Sequence, residues 1–504
     1  MANNTGVQGI APTAIQRRRP HLDPSVHIRA MRLALLLTLL LAECSSAQKA
    51  PVSPDRPWHP AQASQFALDL QKHPQESFRL DAGKTYDLAE LVDLAEQHNP
   101  ETRVAWQNAK AQAAALGVAK SELYPTIAAA ASSLTDRSQA YLATRFYRQT
   151  IQDFEVALEL NYTIFDFGAR GGRIDAAKAE VLAANFAFND THRRVIYQVE
   201  QAYYQLLNAA GQEQAARASL SNAQAVEQAA EDRLNNGLAT LPDVLEARSA
   251  TAQAEYELQA VLGAEEIAQG NLATVLSVSP TVAIRVQPLN ELRIPDSVSG
   301  SVDDAIGRAF EQRPDLLAQL SEIRASNGRI KEARSAYYPS LNLNVAPVAQ
   351  ALYGLQQTYP WGYTAGLNGG LHLNLTWTVF DGGARRNKLA EAQANAQSAE
   401  AQLKVERDAI ADEVWTAYSN LHTAFRQRQA ATALLEASSK SYDAALESYN
   451  YGLRNLLDVT AAQRTLAQAR STDILARTQV LAALSDFAFR TGDLIQPNAN
   501  RPGP

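Results

Sequence analysis

The stretch Phe165-Asp166-Phe167-Gly168-Ala169-Arg170 returns further along the chain as Phe380-Asp381-Gly382-Gly383-Ala384-Arg385, a spacing of 215 residues. Other motif pairs keep this spacing to within one residue. They are Asn99-Pro100 with Arg313-Pro314, Tyr124-Pro125 with Tyr338-Pro339, Gly237 with Gly452, and Asp243 with Asp458. Because chance matches would not keep register over such a distance, the sequence predicts one structural unit written twice.

A very long helix is predicted after each copy of the Phe-Asp stretch. The 65 residues from Arg385 to Tyr449 contain neither Gly nor Pro, and Gly211 alone interrupts Arg173 to Asn236. At about 1.5 Å per residue such a helix is roughly 100 Å long. Apolar residues recur in steps of four, three and four at Val195, Val199, Ala202 and Leu206, and again at Ile410, Val414, Ala417 and Leu421. These steps predict a coiled-coil seam, and Gly237 and Gly452 predict helix ends from which a second helix returns.

Amphipathic strands are predicted between the Tyr-Pro and Phe-Asp motifs. Apolar and polar residues alternate from Phe154 to Ile164 and from Leu371 to Val379, which gives each strand one apolar and one polar face. A half-buried sheet in a soluble protein would show the same alternation. Predicted lengths of about 9 to 11 residues, with aromatic residues at both ends, favour a bilayer crossing. The polar face is then predicted to line a lumen, with Glu155, Glu159, Asn161, His372 and Asn374 on it.

Residues 1–47 are predicted to be an export signal region. Arg29 and Arg32 precede the apolar run from Leu33 to Ala42, and small residues follow at Ser45-Ser46-Ala47. Met31 is an alternative start of the chain. Cys44 is the single cysteine, which excludes a disulfide framework and a thiolate metal cluster. It is a candidate lipidation site, although Glu43 stands where a small residue is expected, and cleavage after Ala47 is the alternative.

Several classes of function are disfavoured by composition and motif content. The formal net charge of -7 does not fit a nucleic-acid-binding protein. The eight His residues are scattered, with no metalloprotease motif, so neither an enzyme nor a metal site is predicted. Gly168 to Arg173 lacks the phosphate-loop pattern and is predicted to be a turn. No stretch of 18 apolar residues follows the signal region, so any membrane crossing would have to use strands.

The predicted fold class is α+β, mostly α, with two strands in each repeat and four in the chain. Four strands cannot close a barrel, and bacterial barrels begin at eight, so at least two chains would share one. The long helical hairpins would then project from one side of the membrane. The predicted segments are an N-terminal extension at 48–85, repeat 1 at 86–280, a linker at 281–300, repeat 2 at 301–494 and a disordered tail at 495–504.

These residues resemble the TolC-like outer-membrane efflux proteins over roughly residues 86 to 494. The similarity lies in the doubled unit, the Tyr-Pro strand starts, the Phe-Asp-x-Gly-Ala-Arg turn and the Gly-x5-Asp-Val tips. It implies a homotrimer without cofactors, whose shared transmembrane barrel of twelve strands continues into a periplasmic barrel of twelve helices. Such a trimer sits in outer-membrane lipid as a passive exit duct for efflux or type I secretion. Its implied partners are a periplasmic adaptor and an inner-membrane RND, ABC or MFS transporter.

The resemblance also implies a gate at the hairpin tips. In the family a tyrosine and an arginine of one hairpin bond to an aspartate at the tip of the other, and Tyr449, Arg454 and Asp243 occupy these positions. Asp458 matches the first of two aspartates that ring the family's pore, whereas the second position is Ala461. Ordinary turn and cap residues are the alternative interpretation.

Two further predictions concern partners. Gly237 and Gly452 mark the tip region that is expected to contact the adaptor. The alternative function is a periplasmic coiled-coil adaptor or scaffold, which would explain the helices and the export signal. It would not explain amphipathic strands with aromatic ends.

Overall fold

A computed structural model of the chain describes residues 68–69, 80–81, 83–142, 145–297, 300–356 and 359–494. The chain divides into two compact units, Met1–Glu76 and Ser77–Pro504, and every element named below belongs to the second. The predictions for the signal region, for Cys44 and for the tail at 495–504 lie outside the described residues.

The second unit alternates pairs of helices with pairs of strands. Its first part contains β1 (Thr85–Tyr86), α1 (Leu88–His98), α2 (Pro100–Ser121), β2 (Thr126–Leu142), β3 (Arg145–Phe165), α3 (Ala169–Asn235) and α4 (Leu241–Val275). After β4 (Arg285–Val286) and a short 3-10 turn at Leu289–Glu291 come α5 (Val302–Gln312), α6 (Pro314–Ser335), β5 (Ser340–Gln356), β6 (Tyr359–Thr376), α7 (Ala384–Asn450) and α8 (Leu456–Thr491). Within the predicted linker, β4 pairs in parallel with β1.

The four long strands form one antiparallel sheet in the order β2-β3-β5-β6. They contain 17 to 21 residues, so the predicted length of 9 to 11 was wrong. The outer half of β6 has an apolar residue at every second position from Tyr359 to Leu367, with Gly362 and Gly366 among the residues between them, and its backbone pairs with β5. The strand ends at Thr376, and Trp377 and Val379, which were predicted to continue it, lie beyond it.

The two long helices are confirmed, because α3 and α7 contain 67 residues each. Both end where the chain turns through a left-handed glycine, Gly237 or Gly452, each with a φ of 74°. The amide of Leu238 then donates to the carbonyl of Arg233 over 2.7 Å, and Leu453 does the same to Ser448 over 2.8 Å. These bonds satisfy carbonyls that the helix end leaves unpaired. No helix in the described part of the chain is both long and apolar enough to cross a membrane.

The predicted seam residues of α3 and α7 are all buried. Those of α3 form a core with α1 and the last turns of α4, around Leu91 and Leu272. Those of α7 form a second core with α5 and α8, around Ala305 and Phe487. The seam residues of α3 and α7 therefore hold the short helices α1 and α5 against the middle of the two long helices.

Helices α3 and α6 cross at unusually close range because two glycines face each other. A Cβ added to Gly172 would lie 2.7 Å from the carbonyl oxygen of Gly328, and one added to Gly328 would lie 2.8 Å from that of Gly172. Each would also meet a backbone nitrogen of the other helix at 2.6 Å. Since backbone cannot move aside as a flexible side chain can, these positions accept only glycine without a shift of the helices.

Buried charges join α3, α6, α7 and α8 at the level of the short helices. Arg313 is 6% exposed and pairs with Asp315 at 2.6 Å and with Glu413 at 2.8 Å. Arg193, 3% exposed, lies 3.4 Å from Asp315, and Arg490 lies 3.1 Å from Glu413. Burial alone would raise the pKa of Asp315 and Glu413, but Arg313 and the neighbouring arginines lower the pKa of both below their ordinary values.

We predict that Gly328→Ala destabilises the protein by about 1–3 kcal/mol, because the added methyl group forces α3 and α6 apart. Thermal unfolding followed by circular dichroism measures the change. Gly307→Ala in α5 is the matched control, since nothing lies within 4 Å of its added Cβ; it should be neutral or stabilising by up to about 1 kcal/mol. Equal behaviour of the two variants would contradict the close crossing.

We predict that Asp315→Asn costs about 3 kcal/mol or more near pH 7, since it leaves buried arginines without a full partner. The folded-state pKa of Asp315 is lowered, so its contribution is complete above its unfolded pKa, near 3.8, and is lost as pH falls through the folded value. The gap in melting temperature between the two proteins should therefore shrink towards pH 3.

Asp296→Asn is the control for this titration. Asp296 is 94% exposed and lies 3.4 Å from Arg428, and an exposed pair of this kind contributes about 0–1 kcal/mol. A gap for Asp315→Asn that is no larger than that of the control, or that does not depend on pH, would contradict the role given to the buried charges.

Candidate functional site: the sheet faces, the strand-helix turns and the hairpin tips

Side-chain ladders cross the polar face of the sheet. Asn374 donates to the side-chain oxygen of Asn344 over 2.8 Å, and Asn344 in turn donates to that of Asn161. A second ladder starts at Glu155, which accepts from the amide of Gln350 over 2.8 Å. The face predicted from the alternation is thus one continuous polar surface over β3, β5 and β6.

The predicted lumen residues occupy this surface in different ways. Asn161 and Asn374 are joined through Asn344, and His372 is the register partner of that same residue. Glu159 is exposed. The sequence prediction missed Asp153 and Gln350, which form a further hydrogen bond of 2.9 Å on this face. Glutamine at 350 stands among alanine, leucine and valine, so no alternation singles it out.

The opposite face of the sheet is apolar and is not covered by any described part of the chain. Val156 is 60% exposed, Leu371 70% and Leu373 58%. Large apolar side chains normally leave water on folding, and a contiguous exposed patch of them marks a surface that meets another apolar phase or partner. Since one face is polar and the other apolar, the sheet has the two faces of a wall between a wet space and a lipid phase.

The two strand-helix turns have the same hydrogen-bonding pattern. One carboxylate oxygen of Asp166 accepts from the amide of Gly168 at 3.2 Å, and the other accepts from the amide and Nε of Arg170 at 2.9 and 3.0 Å. Asp381 accepts from Gly383 and Arg385 in the same way, at 2.8 to 3.1 Å. The aspartate therefore holds the first turn of each long helix against the end of its strand. Gly168 and Gly383 have φ values of 97° and 90°, which explains glycine at both positions.

Asp243 lies at the start of α4, in the tip of the first hairpin. Its carboxylate accepts from the backbone amide of Thr240 at 2.8 Å and from the Thr240 hydroxyl at 2.7 Å, which completes a capping box. These bonds, together with the charge of Arg233, hold the pKa of Asp243 below its ordinary value. The carboxylate is thus ionised and already engaged within its own hairpin.

Tyr449 and Arg454 lie at the end of α7 and in the turn that follows. Tyr449 is 4% exposed, and its hydroxyl has no hydrogen-bond partner within the described part of the chain. Burial raises its pKa. Arg454 is exposed and forms no ion pair with the described residues of its own chain, and Asp458 is exposed at the start of α8. Within one chain, the predicted trio of Asp243, Tyr449 and Arg454 is therefore not joined by hydrogen bonds.

Arg233 forms a contact between the two hairpins, and the sequence did not predict this contact. Its Nη1 donates to the carbonyl of Tyr449 over 2.8 Å and to that of Asn450 over 3.3 Å. Its guanidinium lies 4.7 Å from the centre of the Tyr449 ring. Arg233 thus caps the carbonyl end of α7 from the last turn of α3. The position that matches it in the second half is Ser448, so comparison of the two halves gave no indication of this contact.

Beneath Arg233, an apolar cluster joins the tips of the two hairpins. It contains residues of α3, α4, α7 and α8, the four helices of the two hairpins: Val226, Ala230, Val244, Ala247, Tyr442, Ala445, Tyr449, Leu456, Val459 and Leu466. Gly237 and Gly452 form the tips beyond this cluster, with the exposed residues Leu238 and Leu453 beside them. No group of three or more His, Cys, Asp or Glu residues in the described chain could hold a metal ion.

The chain matches the model of the protein family described as outer membrane efflux protein over residues 91–278 and 305–492. It is 28% identical over 404 residues to Protein CyaE of Bordetella pertussis, which covers 79% of this chain and 83% of that protein. It is 27% identical over 464 residues to Outer membrane protein OprJ of Pseudomonas aeruginosa, which covers 90% and 94%.

The fold matches solved structures as well. A crystal structure of a membrane protein from Pseudomonas aeruginosa has a TM-score of 0.71 and 25% identity, covering 88% of this chain and 99% of that one. The matched segments of the family model contain α3 and α7, both strand-helix turns and both tips. The resemblance to TolC-like proteins is therefore confirmed, and the chain belongs to the outer membrane efflux protein family.

Proposed function

We propose that this protein is the outer-membrane exit duct of a tripartite efflux or type I secretion system, and that it works as a homotrimer. The family is one of outer-membrane channels and is not catalytic. The observation that carries the proposal is the sheet, which has one polar and one apolar face, neither covered by the residues that the structure describes, and which continues directly into helices of 67 residues. A wall of this kind encloses a conduit once several copies close it.

The need for several copies follows from the edges of the sheet. β2 and β6 are the outermost strands, so each has one row of backbone groups without a strand partner in the sheet. In lipid such groups must be paired, which only a closed barrel achieves. β2 of one copy would pair with β6 of the next, and three copies would give the barrel of twelve strands that the family resemblance implies.

The helices support the same closure. Helix α3 packs against α2, α4, α6 and α8, and α7 packs against α6 and α8. This order leaves α2 and α4 at one border of the helical layer and α7 at the other. Val104 on α2 and Val405 on α7 are both 60% exposed. We propose that these borders meet between copies, so that the helices form a tunnel below the barrel.

The tips are proposed to form the gate and the adaptor contact. Arg233 and the apolar cluster hold the two hairpins of one copy together, while Arg454 and Asp458 are exposed and available to a neighbouring copy. Leu238 and Leu453 are 67% and 79% exposed beside the tip glycines. Exposed leucines at a hairpin tip suit contact with a periplasmic adaptor, which would link the duct to an inner-membrane RND, ABC or MFS transporter.

Fractionation and bilayer recording test the proposed duct together. We expect heat-modifiable trimers in the outer-membrane fraction, and a steady conductance after the purified protein is added to planar bilayers. Recovery of the protein in the soluble periplasm would contradict the duct and would favour a periplasmic scaffold. Replacement of Glu155 and Glu159 by Gln supplies a matched channel with a less negative polar face, whose cation preference should be lower, as measured by the reversal potential.

We predict that Arg233→Met opens the tips. The variant loses a cation–π contact and two charge-assisted hydrogen bonds, a net loss of roughly 1–2 kcal/mol in the proposed closed state. This shifts the balance of closed and open channels by about tenfold, which single-channel recording would detect as more frequent or larger openings. A second variant replaces Tyr449 by Phe and Arg454 by Ser. If Arg454 binds a neighbouring copy, the single-channel conductance of this variant should be higher than that of Arg233→Met.

Arg248→Met is the matched control for these recordings. Arg248 pairs with Glu227 and Glu231 of its own hairpin, at 3.3 and 2.6 Å. The substitution therefore removes a cation without affecting the contact between the hairpins. Conductance that is the same in wild type, control and Arg233→Met would remove Arg233 from the gate. No change in the Tyr449 and Arg454 variant would remove the latch predicted from the family.

A further inference from the structure

A cavity of about 520 Å³ lies where the polar face of the sheet meets the start of α7. Ser340 and Thr376 are register partners next to Asn342 and Asn374 on this face, and both line the cavity. Lys388 lines it from the first turns of α7. The cavity thus brings a lysine together with hydroxyl groups on the side of the sheet that is proposed to face the lumen.

Lys388 has no counter-ion in the part of the chain that the structure describes. The residue is exposed, and no described carboxylate lies within ion-pair distance of it. The other charged residues that line the cavity all have ion-pair partners: Asp166, Arg173, Arg329 and Glu332. Lys388 is therefore the charge of this wall that remains available to a mobile anion.

Comparison with the first half of the chain shows what Lys388 lacks. The residue 215 positions earlier is Arg173, which also lines the cavity. Its Nε donates to the carboxylate of Glu122 over 2.9 Å, and its Nη1 donates to that of Glu332 over 3.0 Å. The cation of the first half is thus neutralised by two acids, whereas that of the second half is not.

Both acids are replaced by uncharged residues at the corresponding positions. The counterpart of Glu122 is Ala336; each follows the last turn of its helix, and Ala336 lines the cavity. The counterpart of Glu332 is Val118 on α2, which is 69% exposed. Since α2 corresponds to α6, and α7 to α3, α2 of the next copy would pack on α7 in the proposed trimer. Closure of the ring would then bring a valine, and not an acid, to this place.

We propose that this cavity is a binding site for a small oxyanion, such as phosphate or a carboxylate group, and that Lys388 is its cationic ligand. An ammonium group with three N–H donors attracts an oxyanion as a point charge. The Ser340 hydroxyl accepts from Asn342 over 3.3 Å, so its own O–H is free to donate, and Thr376 supplies a second hydroxyl. Hydrogen bonds between a cation and an oxyanion are stronger than those between neutral groups.

The binding site is contained in one chain and does not require the proposed duct. Its place beside conducted solutes does rest on that proposed function. In a trimer, three copies of Lys388 would surround the passage where the helical tunnel meets the barrel, and anionic groups of exported molecules would bind there in transit.

Phosphorus NMR tests the site, because inorganic phosphate that is titrated into the purified, detergent-solubilised protein gives a broadened signal when it binds. Lys388→Gln should weaken binding about tenfold or more, since it removes the charge-assisted contact. Lys388→Arg keeps the charge and should retain most of the binding. Lys440→Gln is the matched control on the same helix: Lys440 pairs with Glu436 at 2.7 Å, and this variant should bind phosphate as the wild type does.

Ala336→Glu gives the second half of the chain the acid that Glu122 provides in the first. The new carboxylate should pair with Lys388, so phosphate binding should fall about as far as in Lys388→Gln although every cation is kept. The circular dichroism spectrum should be unchanged in all of these variants. Phosphate binding of wild-type strength in Lys388→Gln or in Ala336→Glu would overturn the site.

Bilayer recordings separate the anion site from the duct. Added phosphate or acetate should lower the single-channel current severalfold more in the wild type than in Lys388→Gln. Phosphate binding by a protein that forms no channel would contradict the duct and support the site. Conducting channels without phosphate binding would contradict the site and support the duct.

Discussion

The unpaired edges of β2 and β6 are the constraint on which the rest of the architecture depends. In water these backbone groups would bind solvent, but in a bilayer each unpaired group is costly enough that the sheet must close on something. The chain supplies four strands, and four strands can neither close nor enclose a lumen. In the proposed duct, closure comes from other copies, and the helices that follow each strand pair would be brought into the same ring. The proposed tunnel would then be a consequence of how the sheet satisfies its hydrogen bonds.

The junction between sheet and helices has to hold the helices in a fixed position relative to the strands. The aspartate of each strand-helix turn holds the first helical turn with three hydrogen bonds, and Gly172 and Gly328 bring α3 and α6 into backbone contact just below it. Further down, the charges around Arg313 join four helices that come from distant parts of the chain. The wall is therefore fixed at its top and middle, above the tips at which we propose the gate.

Sequence patterns were sufficient to predict the features with local causes. The absence of Gly and Pro predicted α7, the apolar steps predicted the buried seam residues, and Tyr-Pro predicted where helices give way to strands. The outer end of β6 was missed because Gly369 and Gly370 interrupt the alternation beyond Leu371, and glycine within a strand weakens its sequence signal, although apolar residues alternate again from Tyr359 to Leu367. Arg233 was missed for a different reason: its partner, the end of α7, is 216 residues away in the chain, and no periodicity connects the two.

The two halves of the chain differ at two positions where the residue of the first half is not explained by the local backbone conformation or by the repeat. Phenylalanine replaces glycine at a left-handed position at residue 167, and an arginine at position 233 corresponds to a serine at 448. The first change is at the membrane end and the second at the tip. Neither would be needed for a repeat that only had to fold, since the second half folds the same turns without them.

The chemistry of the tip restricts how the proposed gate could be operated. The guanidinium of Arg233 stays charged at any physiological pH. The pKa of Asp243 is lowered, and that of Tyr449 is raised by burial, so neither changes its charge near neutrality. A change of pH in the periplasm therefore leaves the contact between the hairpins intact. What can break it is a partner that binds the exposed leucines at the tips and draws α7 away from Arg233, so opening would be coupled to assembly with the adaptor.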